Sequence, residues 1–155
     1  MKLTPEEKIT EKNFKPGTIT KDGFLGNDSR HVHDIVQHDA ITLDRLGITT
    51  KEIADRMQYF IDKGKDALED KLELDEYTIQ VIWSRGMLPC PFGEPRLHHK
   101  IFIVLRNNAI NKSIRYTQLN VHLIKEHGFF EGEGSVFRLD PEELVTVLGL
   151  SLIHI

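Results

Sequence analysis

Apolar side chains recur along this chain with two periods, helical in the first half and strand-like after it. Between Asp28 and Leu46, the positions Val32, Ile35, Val36, Leu43 and Leu46 fall on one side of a helix, with Asp28 placed to cap it and Gly47 to stop it. A second helix is predicted from Thr49, where Glu52 can complete a capping box, through Ile53, Met57, Phe60 and Ile61 to Gly64. The two helices are expected to pack as an antiparallel or angled pair. Lys65 to Asp75 sets Leu68, Leu72 and Leu74 among charges and reads equally as a ragged helix or a strand lead-in.

The period shortens to two at Tyr77, where Tyr77, Ile79, Val81 and Trp83 alternate with Thr78, Gln80, Ile82 and Ser84. Pro89 to His99 is expected to be a loop, too rich in proline to pair. Lys100–Arg106 and Ser113–Tyr116 read as a hairpin around an asparagine-rich turn. Thr117 can cap a helix that runs to His127 and stops at Gly128, Val136–Leu139 is a predicted short strand, and Asp140-Pro141-Glu142-Glu143 opens a last helix. The expected class is α+β: a helical N-terminal half, then a small, mostly antiparallel sheet with two C-terminal helices.

Residues 1–150 are expected to form one domain. Its first 27 residues would be a partly irregular arm, opened by a short helix from Thr4 to about Lys12 and followed by a loop from Asn13 to Asn27. Ser151 to Ile155 sit badly after a helix that ends at Gly149 and are read as a non-native tail. With 155 residues, 39% hydrophobic and 28% charged, the chain can bury a core without needing a metal or disulfide to fold. A net charge of −4 offers no global attraction for phosphate backbones, so nucleic acid is an unlikely partner. No leader-like or membrane-length apolar run is present, and a single Cys excludes an internal disulfide; a cytoplasmic protein with no membrane segment is expected.

One concentration of chemistry stands out. Cys90, His98, His99, His122 and His127 bring the chain's one Cys and several of its eight His into a single stretch. Thiolate and imidazole are the ligands zinc prefers in tetrahedral sets, so these five are the candidate metal ligands. Two residues five apart point about 140° away from each other on a regular helix, so sharing one ion is expected to require His122 and His127 to loosen their helix near Gly128. The competing reading places His122 half-buried beside the core, His127 near the last carbonyls of its helix, and His98-His99 in a solvated loop. A catalytic version keeps an open metal position with Glu126 as general base in hydrolysis; another activates Cys90 as a nucleophile through a nearby histidine, Arg85 and Arg96.

Two further groups compete with solvated faces. His31, Asp34 and His38 share a polar helix face that could hold a divalent metal. Asp39 projects into the apolar stripe of the first long helix, where a carboxylate must be paired, hydrogen-bonded or protonated, and an arginine is the expected partner. Leu46-Gly47-Ile48-Thr49 between two helices invites a helix-turn-helix reading with Thr50, Lys51 and Asp55 facing nucleic acid, although Leu43 and Arg56 depart from that motif. Phe129-Phe130-Glu131-Gly132-Glu133-Gly134-Ser135 carries two acids that would repel phosphate, and suits a loop tucked onto the core or lining a ligand cleft.

The run His122-Leu123-Ile124-Lys125-Glu126-His127-Gly128-Phe129-Phe130-Glu131-Gly132, with Gly134 to Leu139, Gly26 to Thr49 and Arg85 to Phe92, resembles a family of small bacterial proteins with no assigned activity. The resemblance implies a natural single domain; it supplies no assigned catalytic residues to carry over and leaves the biochemistry open. The combined expectation is a small cytoplasmic domain that binds a metal, a small molecule or a protein ligand, with a zinc site in its C-terminal half. A metal-dependent hydrolase and a helix-turn-helix-like regulator are the alternatives.

Overall fold

The computed structural model describes residue 5 and residues 11–150. Residue 5 and residues 11–13 are helical; the other residues of the predicted first helix and the 151–155 tail lie outside the described residues. Four helices and a sheet follow. Helix α1 spans Val32–Leu46 and ends at Gly47, which takes the left-handed conformation (φ 70°) and donates to the Asp44 and Leu43 carbonyls. It begins later than an Asp28 cap would require, with His31 at the cap position. The Asp28 carboxylate is instead taken by the Arg30 guanidinium at 2.6 and 2.9 Å and by the backbone N–H of Glu133 at 3.1 Å.

Helix α2, Thr50–Lys65, opens with the predicted Thr49–Glu52 capping box. Gly64 does not end it. That glycine lies inside the helix because a Cβ there would stand 2.5 Å from Val81 Cγ2 and 2.8 Å from Ile79 Cγ2, so its absence lets α2 press against the sheet. The ambiguous segment after it resolves into β1, Leu72–Leu74, which pairs with β2, Tyr77–Pro89. Strands β3, Leu97–Asn107, and β4, Lys112–Thr117, complete an antiparallel sheet in the order β1-β2-β3-β4.

Helix α3, Gln118–His127, starts from a Thr117–Asn120 capping box, and α4, Pro141–Val147, is capped by Asp140. The architecture is the α+β one that the periodicity predicts. The first two helices do not form the expected pair: α1 lies mainly on α4, and α2 on α3 and the sheet.

Two departures from the predicted elements matter. Val136–Leu139 is not a strand, because its neighbourhood satisfies its backbone through turns: Ser135 donates to Gly132, Arg138 to Ser135, and Leu139 to Phe130. The proline-rich stretch is shorter as a loop than expected. Pairing continues through Met87–His99, Leu88–His98 and Pro89–Leu97, with the other prolines left in the 90–96 turn.

Between Trp83–Ile101 and Met87–His99 the register slips, with three β2 residues facing one of β3. Such a bulge bends the ribbon and disturbs its alternation. In β3 the odd positions Ile101, Ile103 and Leu105 are buried, but beyond the bulge it is His98, not His99, that turns inward.

The main core lies between one sheet face (Ile79, Val81, Ile103, Leu105, Tyr116) and the helices, where Met57, Phe60, Ile61, Leu144 and Val147 meet it. The buried phenols of Tyr116 and Tyr77 donate to the Met57 and Val147 carbonyls at 2.8 and 3.0 Å. A second cluster gathers Phe14, Phe24, Ile35, Cys90, Leu123 and Phe129. Helix α3 separates the two, with Val121 and Ile124 in the first and Leu119 and Leu123 in the second. Its burial on two sides fixes the side chains it carries. Among the described residues no helix is long and apolar enough to cross a membrane.

Candidate metal centre

The 90–96 turn is anchored at both ends of its first half. Cys90 is 2% exposed within the second cluster, its carbonyl accepts from Gly93 N–H at 3.0 Å, and the Pro91 carbonyl accepts from the Asn13 side chain at 3.1 Å. Phe92 packs edge-on to Phe14 and lies flat on the His127 ring, centroids 4.0 Å apart and 13° from parallel. Apolar packing thus draws the turn onto the end of α3, and the polar groups on both elements converge beneath it.

Four donors meet there: Cys90 Sγ, one Glu94 carboxylate oxygen, and a ring nitrogen from each of His122 and His127, all within 4.8 Å of one another. Glu94 Oε1 sits among the other three. The Cys90 thiol donates to it at 3.3 Å, His122 Nε2 at 3.0 Å, and His127 Nε2 also donates to it; Cys90 Sγ stands 3.6 Å from His127 Nε2. Among the described residues this is the one such group of three or more potential metal ligands. It can hold a metal ion.

The protonation states follow from the geometry. The His127 hydrogen bond above all, with those of Cys90 and His122, outweighs desolvation and holds Glu94 down to about 2. Burial pushes the Cys90 thiol up to about 12, and the Glu94 carboxylate beside it adds to the rise. This reverses the activated-nucleophile reading: Cys90 faces a carboxylate, and Arg85 and Arg96 are both exposed. A cation would invert that balance, because a thiol that coordinates it loses its proton to solvent and binds as thiolate.

Cys90, His122 and His127 were legible as candidates and are brought together. Helix α3 does not loosen to do it. Gly128 adopts φ 62°, and the helix closes with Gly128 N–H donating to Ile124 and Phe129 N–H to Leu123; the convergence comes from the reach of two imidazoles toward one carboxylate oxygen.

His98 and His99 are strand residues, not loop. His98 is buried, its ring 4.2 Å from that of His122, and burial lowers its pKa. His99 is exposed, with its ring edge-on to Trp83 at 5.6 Å. Glu126 is exposed beside a cleft that His98 and His122 also line. None of these three belongs to the four-donor group. Glu94 was missed. Its signal was its position four residues after Cys90 in a turn with Pro91, Gly93 and Pro95, a spacing at which a tight turn folds a carboxylate back on a thiol.

No protein-family model, curated protein or solved structure matches the chain. The remaining candidates have structural partners. Asp39, 2% exposed, meets Arg138 in a two-pronged ion pair at 2.6 and 3.0 Å, the arginine expected from its place in the stripe. His31 and His38 are exposed and lie 3.9 Å from Glu11 and 3.6 Å from Asp39, in separate pairs.

The loop from Phe129 to Ser135 tucks onto the core, with both phenylalanines fully buried. Gly132 is required at the seam, since a Cβ there would stand 2.3 Å from the Leu25 carbonyl oxygen.

Proposed function

We propose that this protein is a zinc-binding domain in which Cys90, Glu94, His122 and His127 hold one structural ion. The observation that carries the reading is the convergence of four donors from two elements on one point. A tetrahedral ion with bonds of about 2.0 Å to nitrogen and oxygen and about 2.3 Å to sulfur sets its ligands roughly 3.3–3.6 Å apart. The sulfur–oxygen and sulfur–nitrogen separations, 3.3 and 3.6 Å, fall in that range; the His122–Glu94 separation of 3.0 Å lies just below it, and the His127–Glu94 contact is shorter still, so those two side chains would move apart to admit an ion.

One thiolate among imidazoles and a carboxylate favours zinc over the hard cations, which take oxygen ligands. Four protein ligands fill a tetrahedral shell, the pattern of a structural site; hydrolysis needs an open position. The ion would fasten the 90–96 turn to α3 and close the smaller, aromatic cluster over Phe14 and Phe129.

Elemental analysis of untagged protein tests this. About one zinc per chain is expected, lost in a Cys90→Ala, His122→Ala double variant, with chelation lowering the melting temperature of the native protein. Absence of metal after incubation with excess zinc, with no change in melting, would return the four residues to a hydrogen-bonded cluster.

A further inference from the structure

We propose that the free edge of β3 at Leu97–Ile101 takes up an extended acidic peptide as an added strand. Strand β2 pairs with β3 as far as Pro89–Leu97, whereas β4 pairs with it only from Lys112–Asn107 to Thr117–Phe102 and then turns into α3. Residues 97–101 therefore have a strand neighbour on one side alone. Along an antiparallel strand the N–H and C=O of alternate residues face opposite neighbours, so about half of these backbone groups are directed away from β2. Among the described residues no other backbone hydrogen bond takes them up. Such a row is a template for one more strand.

A cleft opens where β4 leaves. It measures about 280 Å³, and the consecutive residues His99–Phe102 line it, with Thr117, Leu119 and Phe137 in its other walls. Successive strand side chains leave by opposite faces, so four residues in a row line a cleft with their backbone edge. Phe102 and Phe137 meet edge-on, centroids 5.9 Å apart, and Leu119 is buried. The cleft is just under the roughly 300–1,000 Å³ of pockets for drug-sized ligands, and its apolar wall beside a strand edge suits one large apolar side chain of the added segment.

Charge selects the partner. No acid lines the cleft. Lys100 is exposed and crosses the bulge, its Cε 3.9 Å from where a Cβ on Gly86 would stand, and Arg85 and Arg96 are exposed on the same ribbon. None of these three cations is in an ion pair among the described residues. A second copy of the chain would set its own Arg96, His98, His99 and Lys100 against them, which like-charge repulsion disfavours. An acidic segment answers them.

NMR titration of the isotope-labelled full chain with the capped peptide Asp-Val-Phe-Val-Glu tests this, alongside one peptide with lysines for the two acids and one with alanine for phenylalanine. The parent peptide is expected to shift the amides of residues 97–102 saturably and to slow hydrogen exchange at alternate residues of 97–101. Both altered peptides, and the exposed variant Lys100→Glu with the parent peptide, are expected to bind about tenfold or more weakly. No saturable shift below about 1 mM peptide, shifts confined to other parts of the chain, or equal binding of the lysine peptide overturns the proposal. Concentration-dependent dimerisation that protects the same amides without peptide assigns the edge to a second copy and overturns it too.

Discussion

Replacing Glu131 by Gln should change how stability depends on pH. Glu131 is 4% exposed, accepts from Asn120 Nδ2 at 2.7 Å and from Ser135 Oγ at 2.6 Å, and receives no direct salt bridge because the nearby Arg138 guanidinium is committed to Asp39. Desolvation outweighs those two neutral hydrogen bonds and raises its pKa from the ordinary 4.5 to about 7.

Between those values the folded protein keeps the Glu131 proton and the unfolded chain has released it. The Glu131 contribution to stability is therefore greatest below about pH 4.5, falls as pH rises to about 7, and levels off above. The interval corresponds to roughly 3 kcal/mol.

Glutamine copies the protonated acid: its oxygen accepts from Asn120 while its amide donates to the Ser135 hydroxyl, which can turn to accept. The stability of Glu131→Gln relative to the native protein should grow by roughly 3 kcal/mol from pH 4 to pH 8. Urea unfolding of both proteins across that range, at fixed free zinc, measures it, and the difference cancels every other titrating group. A pH-independent difference, or one that shrinks as pH rises, refutes the argument that burial dominates Glu131.

Two further substitutions test the packing of the 131–138 loop. Asp39→Asn leaves the mostly buried Arg138 guanidinium without its counter-charge and should cost about 3–5 kcal/mol, read as a lower urea midpoint at unchanged slope; a loss well under 1 kcal/mol would mean solvent reaches the pair. Gly132→Ala forces the 131–135 loop away from Leu25 and should cost roughly 1–3 kcal/mol, with a lower melting temperature. An unchanged melt would show that the seam has slack.

Signals that act within a few residues were readable from the sequence alone. The Thr49–Glu52 box, the left-handed glycines after α1 and α3, the Asp140-Pro141 start of α4 and the period change at Tyr77 each concern groups one helical turn or one strand apart, and each appears where predicted. The need for a partner at Asp39 was legible too, because a carboxylate on an apolar stripe cannot stay unpaired. That the partner is Arg138, 99 positions away, was not.

The sequence also nominated Cys90, His122 and His127, since soft ligands are few here and crowded together. Tertiary structure decided the rest of the site. Glu94 joined only once Phe92 packing on Phe14 and His127 laid the turn over the helix, and His98 was separated from His99 by a bulge whose bend reverses which residue faces inward. Asp28 caps no helix because its carboxylate is held by the neighbouring Arg30 guanidinium and by the backbone N–H of Glu133, 105 positions away. Local periodicity specifies what an element is, whereas which side chains meet depends on contacts between segments that share no sequence neighbourhood, and the four-donor centre is made of such contacts.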